Sequence, residues 1–228
     1  MNLWIIKVRS FARKIGVIGL INRLRPASPY ERRVLAVLTG AVKPGDVVWD
    51  VGANVGLYSE QFCQWVGEDG FVVAFEPWAE GCERIRERLP DCQWLRVENI
   101  ALGEADTTGR LVFGTMSVEN HIETEADRLN GMVGSIPVVV CRGDTICNRL
   151  GKIPNVVKVD VEGYEEEVLE GMGGMLASPV LRGIMVEVHF LKLEKRGRLT
   201  APNHIQQLLE DKGFRTRWVD ASHLFATR

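Results

Sequence analysis

The chain of 228 residues lacks any apolar run of the length that crosses a bilayer, which argues against a transmembrane span. It also lacks a cysteine framework. Its 5 cysteines, Cys63, Cys82, Cys92, Cys141 and Cys147, are odd in number and contain no C-x-x-C pair. They read as small apolar fillers in a reducing cytoplasm rather than as disulfide partners or zinc ligands. There is no excess of either charge: 28 basic residues face 30 acidic ones, a net of −2, which argues against a general nucleic-acid binder. No repeat and no low-complexity tract breaks the sequence. The apolar stretch Ile15 to Ile21 lacks a clean small-residue cleavage site, which counts against a signal peptide.

What is present begins with an uneven charge. Residues 1–25 carry Lys7, Arg9, Arg13, Lys14, Arg23 and Arg25 and no acid. The spacing of Trp4, Ile5, Val8, Phe11, Ile15 and Ile18 predicts an amphipathic helix over 3–24. Packing over the domain and peripheral contact with an anionic membrane both suit such a helix. Pro26 and Pro29 end it, and a shorter helix is expected over 30–40. Residues 1–40 therefore divide as a basic helical segment from a domain over 41–228.

The rest is organised around Val47 to Gly56. Val47 to Val51 is an apolar, β-branched run of the kind buried on both faces of a parallel sheet. It leads into a turn bearing Gly52 and Gly56, where the backbone can approach a ligand, and then a helix that Asn54 would cap. Phe71 to Phe75 forms a second strand ending in Glu76-Pro77, with Pro77 at the first position of the next helix. A third strand over 94–97 leads to Asn99. Three strand–helix alternations predict a doubly wound parallel sheet with its ligand at the carboxyl ends of the strands. Residues 104–143 break the rhythm with two strands around a polar stretch holding Ser117, Asn120 and His121, and read as an antiparallel insertion on the acceptor side. A fourth strand over 156–161, a helix over 165–175, a fifth strand over 183–188, a helix over 202–212 and a final antiparallel pair complete the pattern. Glu166 and Glu167 sit where acids stabilise the positive end of a helix.

The cradle suits S-adenosylmethionine better than a dinucleotide. The spacing is G-x-x-x-G rather than G-x-G-x-x-G. Asp50, at the strand end, would repel a pyrophosphate and attract the cationic methionine part of S-adenosylmethionine. Glu76 suits ribose hydroxyls in either ligand.

These residues carry a resemblance. D-V-G-A-N-V-G at 50–56, F-E-P at 75–77, N-I-A-L-G at 99–103, V-K-V-D-V-E-G-Y-E at 157–165 and V-E-V-H at 186–189 resemble, in order, the FkbM family of S-adenosylmethionine-dependent methyltransferases. The resemblance implies an α/β class I methyltransferase (Rossmann-like) fold: a mostly parallel seven-stranded sheet, an antiparallel last strand and helices on both faces. It implies O-methylation of a hydroxyl on a sugar, glycolipid or related metabolite. Asp50, Gly52, Ala53, Asn54 and Gly56 would cradle the methionine part, Glu76 and Pro77 the ribose, and Asn99, Ala101 and Leu102 the adenine edge.

Methyl transfer needs alignment of donor and acceptor, and an alcohol needs a group to receive its proton. Asp160 ends the fourth strand and either holds the ammonium group of the cofactor or takes that proton. Glu162 follows on the same alternation. Glu187 and His189, two apart, share a strand face, and His189 is a base or an orienting group. His121 is a rival. Asp160, Glu162 and Glu187 could gather around a divalent cation, but the spacing demands none. The competing readings are an NAD-binding oxidoreductase, a non-catalytic interaction protein on the same fold and a nucleic-acid methyltransferase, the last opposed by the acidic domain and the lack of an N/D-P-P-Y/F motif.

Overall fold

The computed structural model describes residues 29–113, 121–122 and 134–228. The expected helix over 3–24, with its membrane contact, and Ser117 and Asn120 lie outside the described residues. The chain runs α1 (Pro29–Ala41), β1 (Val47–Val51), α2 (Leu57–Val66), β2 (Phe71–Phe75), α3 (Ala79–Arg88), β3 (Leu95–Glu98), β4 (Ala101–Leu102), β5 (Thr107–Val112), β6 (His121–Ile122) and β7 (Ser135–Cys141). It continues through α4 (Gly143–Leu150), β8 (Val156–Val159), α5 (Glu165–Glu170), β9 (Gly183–Glu187), α6 (Phe190–Lys195), α7 (Ala201–Asp211), β10 (Arg215–Trp218) and β11 (His223–Thr227).

The main sheet has seven strands in the order β10-β11-β9-β8-β1-β2-β3. β1 is central and pairs in parallel with β2 and β8, while β11 runs antiparallel to both β9 and β10. This is the seven-stranded arrangement expected from the sequence, with the reversed last strand lying between β9 and β10. The valine-rich strands are buried on both faces because helices cover both. Trp49, Val51, Phe75, Val157, Val159 and Val186 pack under α4, α5 and α7, while Val48, Val72, Val156 and Met185 pack under α1 and α2. Val34 and Leu38 of α1 are wholly buried in this second layer, so α1 belongs to the folded domain even though the sequence divides at residue 40.

The described parts of the insertion form a second sheet, β4-β7-β5-β6. β5 and β7 are antiparallel over six residue pairs, and β4 joins this sheet to the end of the N-I-A-L-G stretch.

Three local expectations are corrected. α2 begins at Leu57, not near Val55, and is preceded by Gly56 at φ 80° with no side-chain cap. Asn54 itself sits at φ 52° and so caps nothing. α3 begins at Ala79, two residues after Pro77, because Glu76 uses its carboxylate to accept the Trp78 amide at 2.9 Å and holds the turn open. α5 ends at Glu170 rather than near 175. There Gly171 approaches the Gly103 carbonyl so closely that a Cβ would lie 1.9 Å from its oxygen. Asp144 then accepts the Gly174 and Met175 amides, starting a separate short turn.

Candidate active site

A pocket opens at the carboxyl ends of β1, β2 and β8, where ligands of such sheets bind. Its cradle side is Val51, Gly52, Asn54, Glu76 and Pro77, its far wall is Ala101, Leu102, Leu111, His121 and Ile122, and its third side is Asp160, Glu162 and Tyr164. The second sheet thus closes the space that the first leaves open.

The turn after β1 is shaped for backbone contact. The Gly52 and Ala53 amides both donate to the Phe75 carbonyl at 3.0 Å. Gly52 has φ +82°, and a Cβ there would meet the Asp160 carbonyl oxygen at 1.8 Å. The turn exists in this form only with glycine at that position. Asn54 lines this cavity, and its Oδ1 is buried without a hydrogen-bond partner among the described residues. Such an atom awaits a donor, and the ammonium or amide of an amino-acid moiety is one.

Glu76 closes the cradle from β2. One oxygen accepts the Asn54 amide at 2.7 Å and the other the Trp78 amide at 2.9 Å. Each oxygen keeps a second lone pair, which is what a pair of ribose hydroxyls requires. Burial pushes this carboxyl up to about 7, against the pull of those two amides. The residues present therefore fit S-adenosylmethionine: an acceptor atom for its amino-acid part, a carboxylate for its ribose and the apolar side chains Ile100, Ala101 and Leu102 beside them.

Several expected site residues lie elsewhere. Asp50 shares the α2 face of β1 with Val48. It is completely buried and accepts the Ser59 hydroxyl at 2.6 Å. It does not line the cavity, so its opposition to pyrophosphate passes to Asp160 and Glu162, which do. Ala53 packs with Ala74 and Ile85 behind the turn, and Gly56 sits against Ile85. Asn99 donates to the Glu76 and Pro77 carbonyls at 2.9 and 3.0 Å, so it ties the second strand end in place rather than facing the cavity. Glu187 does not share a face with His189: β9 ends at Glu187, which meets Nε2 of His223 at 3.3 Å on the α2 side.

His189 instead turns over the strand end. Its Nδ1 lies 2.8 Å from Glu165 Oε1, and its Nε2 lies 3.3 Å from Glu162 and 3.8 Å from Asp160. Burial alone would lower its pKa, but the Glu165 hydrogen bond and the charges of Glu165, Glu162 and Asp160 raise it to about 9. Of the two roles expected for His189, base or orienting group, these contacts with three carboxylates suit the orienting one. Glu162 holds φ 57°, a strained conformation for a residue with a side chain. Its carboxylate also receives Lys192 Nζ at 2.7 Å. Burial raises its pKa against His189 and Lys192. Asp160 is pushed up by burial but pulled further down by Lys158 and His189. Asp160 and Glu162 are thus set apart, the first the more acidic and the second the more basic. Asp160, Glu162 and His189 place one ligand-type atom each within 4.8 Å of one another. Lys158, Lys192 and Glu165 also contact this cluster.

The sequence reading missed Lys158, Lys192 and Tyr164, and it gave Glu166 and Glu167 to the helix dipole alone. Glu166 binds Arg198 at 2.6 Å and His204 at 2.8 Å, and Glu167 pairs with Arg196, which also donates to the Gly163 carbonyl. These acids strap the segment carrying His189 and Lys192 onto α5. Their basic partners, 29 to 38 residues further on, were the signal available in the sequence.

The sequence matches the methyltransferase FkbM domain over residues 50–216. It is 32% identical over 168 residues to the hexuronic acid methyltransferase AglP of Haloferax volcanii, an alignment covering 70% of this chain and 62% of that protein; the chain thus spans less than two thirds of that relative. The fold is similar to that of methyltransferase FkbM from Methylobacillus flagellatus, with TM-score 0.52, 15% identity, and 83% and 49% of the two chains covered. It is similar also to cofactor-bound Rv0187 from MTB, with TM-score 0.55, 14% identity, and 88% and 80% covered. Among the described residues no helix is long and apolar enough to cross a membrane. The matched segment holds all of the cradle, both cavity carboxylates and most of the main sheet, and the chain belongs to the FkbM methyltransferase domain family.

Proposed function

We propose that the protein is an S-adenosylmethionine-dependent O-methyltransferase that acts on a sugar hydroxyl. The observation that carries this reading is the glycine turn after β1, with the buried, unpartnered Asn54 Oδ1 beside it. Gly52, Asn54 and Glu76 hold the cofactor, which when bound supplies a methyl group activated on a sulfonium. The acceptor oxygen lies against Asp160 and Glu162. Asp160 remains ionised, pairs with the ammonium group of the cofactor and so keeps the donor against the acceptor oxygen. Glu162, the more basic of the two, takes the hydroxyl proton as the oxygen–carbon bond forms and the carbon–sulfur bond breaks. His189 and Lys192 keep Glu162 aimed at the cavity.

A sugar is supported by the chemistry of the far wall and by the relative that methylates a hexuronic acid. Beside the cradle's Glu76, the acids Asp160 and Glu162, His121 and the Tyr164 ring line the cavity; acids bind hydroxyls, and an aromatic ring packs against a pyranose face. The test is transfer of labelled methyl from S-adenosylmethionine to hexuronosides, neutral hexosides, RNA and free amino acids. Label on a glycoside oxygen supports the reading, and label only on RNA or on amines contradicts it.

Glu76 gives this reading a pH signature. Ribose hydroxyls donate to the carboxylate and so favour its ionised form. Below about 7 the free carboxyl must first lose its proton. Affinity for S-adenosylhomocysteine is therefore expected to fall as pH drops from 8 to 5, by at most about tenfold per unit, and to be flat in Glu76→Gln. Titration calorimetry across that range checks it, and an affinity that rises on acidification contradicts it.

A further inference from the structure

The interior of β8 reads Val-Val-Lys-Val, and all four residues are buried. An ammonium group in the middle of a central strand is costly to desolvate, and a valine there would match its neighbours. The cost is met by partners. Strand alternation puts Lys158 and Asp160 on one face, and Lys158 Nζ meets Asp160 Oδ2 at 2.9 Å. Register places Lys158 opposite Asp50 of β1 and Met185 of β9. The Tyr58 ring of α2 covers the ammonium at 4.4 Å from its centroid. Asp50, in turn, is fixed by Ser59 of α2. The groups that face Lys158 are therefore Asp50, Tyr58 and Asp160, with Glu187 further along the same face. Only Asp160 of these lines the cavity.

We propose that Lys158 is a positioning residue: its buried ammonium fixes the Asp160 carboxylate toward the cavity, and Asp50 under the cradle helix fixes Lys158. The chain of contacts runs from α2, which follows the cradle turn, through Lys158 to the cavity carboxylate. Its effect on ligand binding rests on the reading of this cavity as the S-adenosylmethionine site. The ion pair with Asp160 and the neighbouring charge of Asp50 share one cation, so loss of the lysine leaves two acids without it and Asp160 free to change rotamer. Arginine at 158 retains a cation and a donor for Asp160.

The test uses the full chain as Lys158→Met, Lys158→Arg and the double variant Lys158→Met/Asp50→Asn, the last removing one acid with the lysine so that folding does not decide the outcome. Crystal structures of wild type and double variant read the Asp160 rotamer. Calorimetry with S-adenosylhomocysteine reads affinity, and thermal melts report stability separately. The expected result is an Asp160 side chain turned from its wild-type position, with affinity lowered about tenfold or more and partly restored in Lys158→Arg. An unmoved Asp160 overturns the proposal, as does a turned Asp160 with wild-type affinity; a purely structural lysine would lower only the melting temperature. If the wild type ignores S-adenosylhomocysteine, the cofactor reading fails, and the Asp160 rotamer in the double variant still decides whether Lys158 positions it.

Discussion

Replacing Gly52 with alanine is expected to abolish cofactor binding and to destabilise the fold. The added Cβ would lie 1.8 Å from the Asp160 carbonyl oxygen and 2.8 Å from its carbon. Backbone atoms of an adjacent strand end cannot swing aside as a flexible side chain does. Alanine would also be held at φ +82°, outside its favoured regions. Strain and overpacking together predict a loss of about 3 kcal/mol or more in stability. The same shift would move the Asp160 backbone away from the cradle. Affinity for S-adenosylhomocysteine should fall at least about a hundredfold, or about 2.8 kcal/mol. A control at Gly45 separates the two effects. Gly45 also has positive φ, yet a Cβ there meets nothing within 4 Å, so Gly45→Ala should show strain alone and bind normally. Chemical denaturation and calorimetry on both variants check this. Near-wild-type binding in Gly52→Ala would mean the turn is not the ligand cradle.

Asp160→Asn is expected to cost most of the catalytic rate while leaving the fold in place. Asparagine keeps an oxygen that can accept the Lys158 ammonium, so the strand end retains its shape. It removes the cavity carboxylate whose pKa is held down by Lys158 and His189, and those buried charges would then face less compensation. A fall in kcat of about a hundredfold is predicted, since the donor would lose its alignment with the acceptor oxygen. Glu162→Gln should lower kcat as well, but with its pH profile flattened on the acidic side, since it removes the more basic acid. The measurement is initial rate against pH for both variants on the acceptor found by the transfer assay. An Asp160→Asn enzyme of normal kcat would remove Asp160 from the mechanism. Equal, pH-independent losses in both would show that neither takes the proton.

The fold was legible because the sheet is buried on both sides. Runs such as Val47-Val48-Trp49 and Phe71-Val72-Val73 have no polar face to confuse with a helix, and the glycine turn marks where β1 ends. The reversed final strand was visible as two short apolar runs flanking Asp220-Ala221-Ser222. The facing of Asp50 was also available and was not used. Side chains alternate along a strand, so Asp50 must share the face of Val48, and it lies under α2 rather than in the cavity. The same rule applied past its range misled for Glu187 and His189, because β9 ends between them. The charge state of His189 could not be read locally. Its key partner, Glu165, lies 24 residues away in sequence on another element, and the imidazolium is a product of tertiary packing. The same holds for Lys158, which from sequence alone is one polar residue in a valine strand. Only the register with Asp50 and the alternation to Asp160 give it a role. The wall formed by the second sheet was anticipated as an antiparallel insertion, but its contribution of Leu111, His121 and Ile122 to the cavity depended on how that sheet folds back over the first.

The most direct test of the central claim is a calorimetric comparison of S-adenosylhomocysteine and NAD on the purified protein, in wild type and Glu76→Ala. Binding of S-adenosylhomocysteine alone, with affinity lost in Glu76→Ala, is the predicted result. Binding of NAD in preference, or no binding of S-adenosylhomocysteine, would contradict the account.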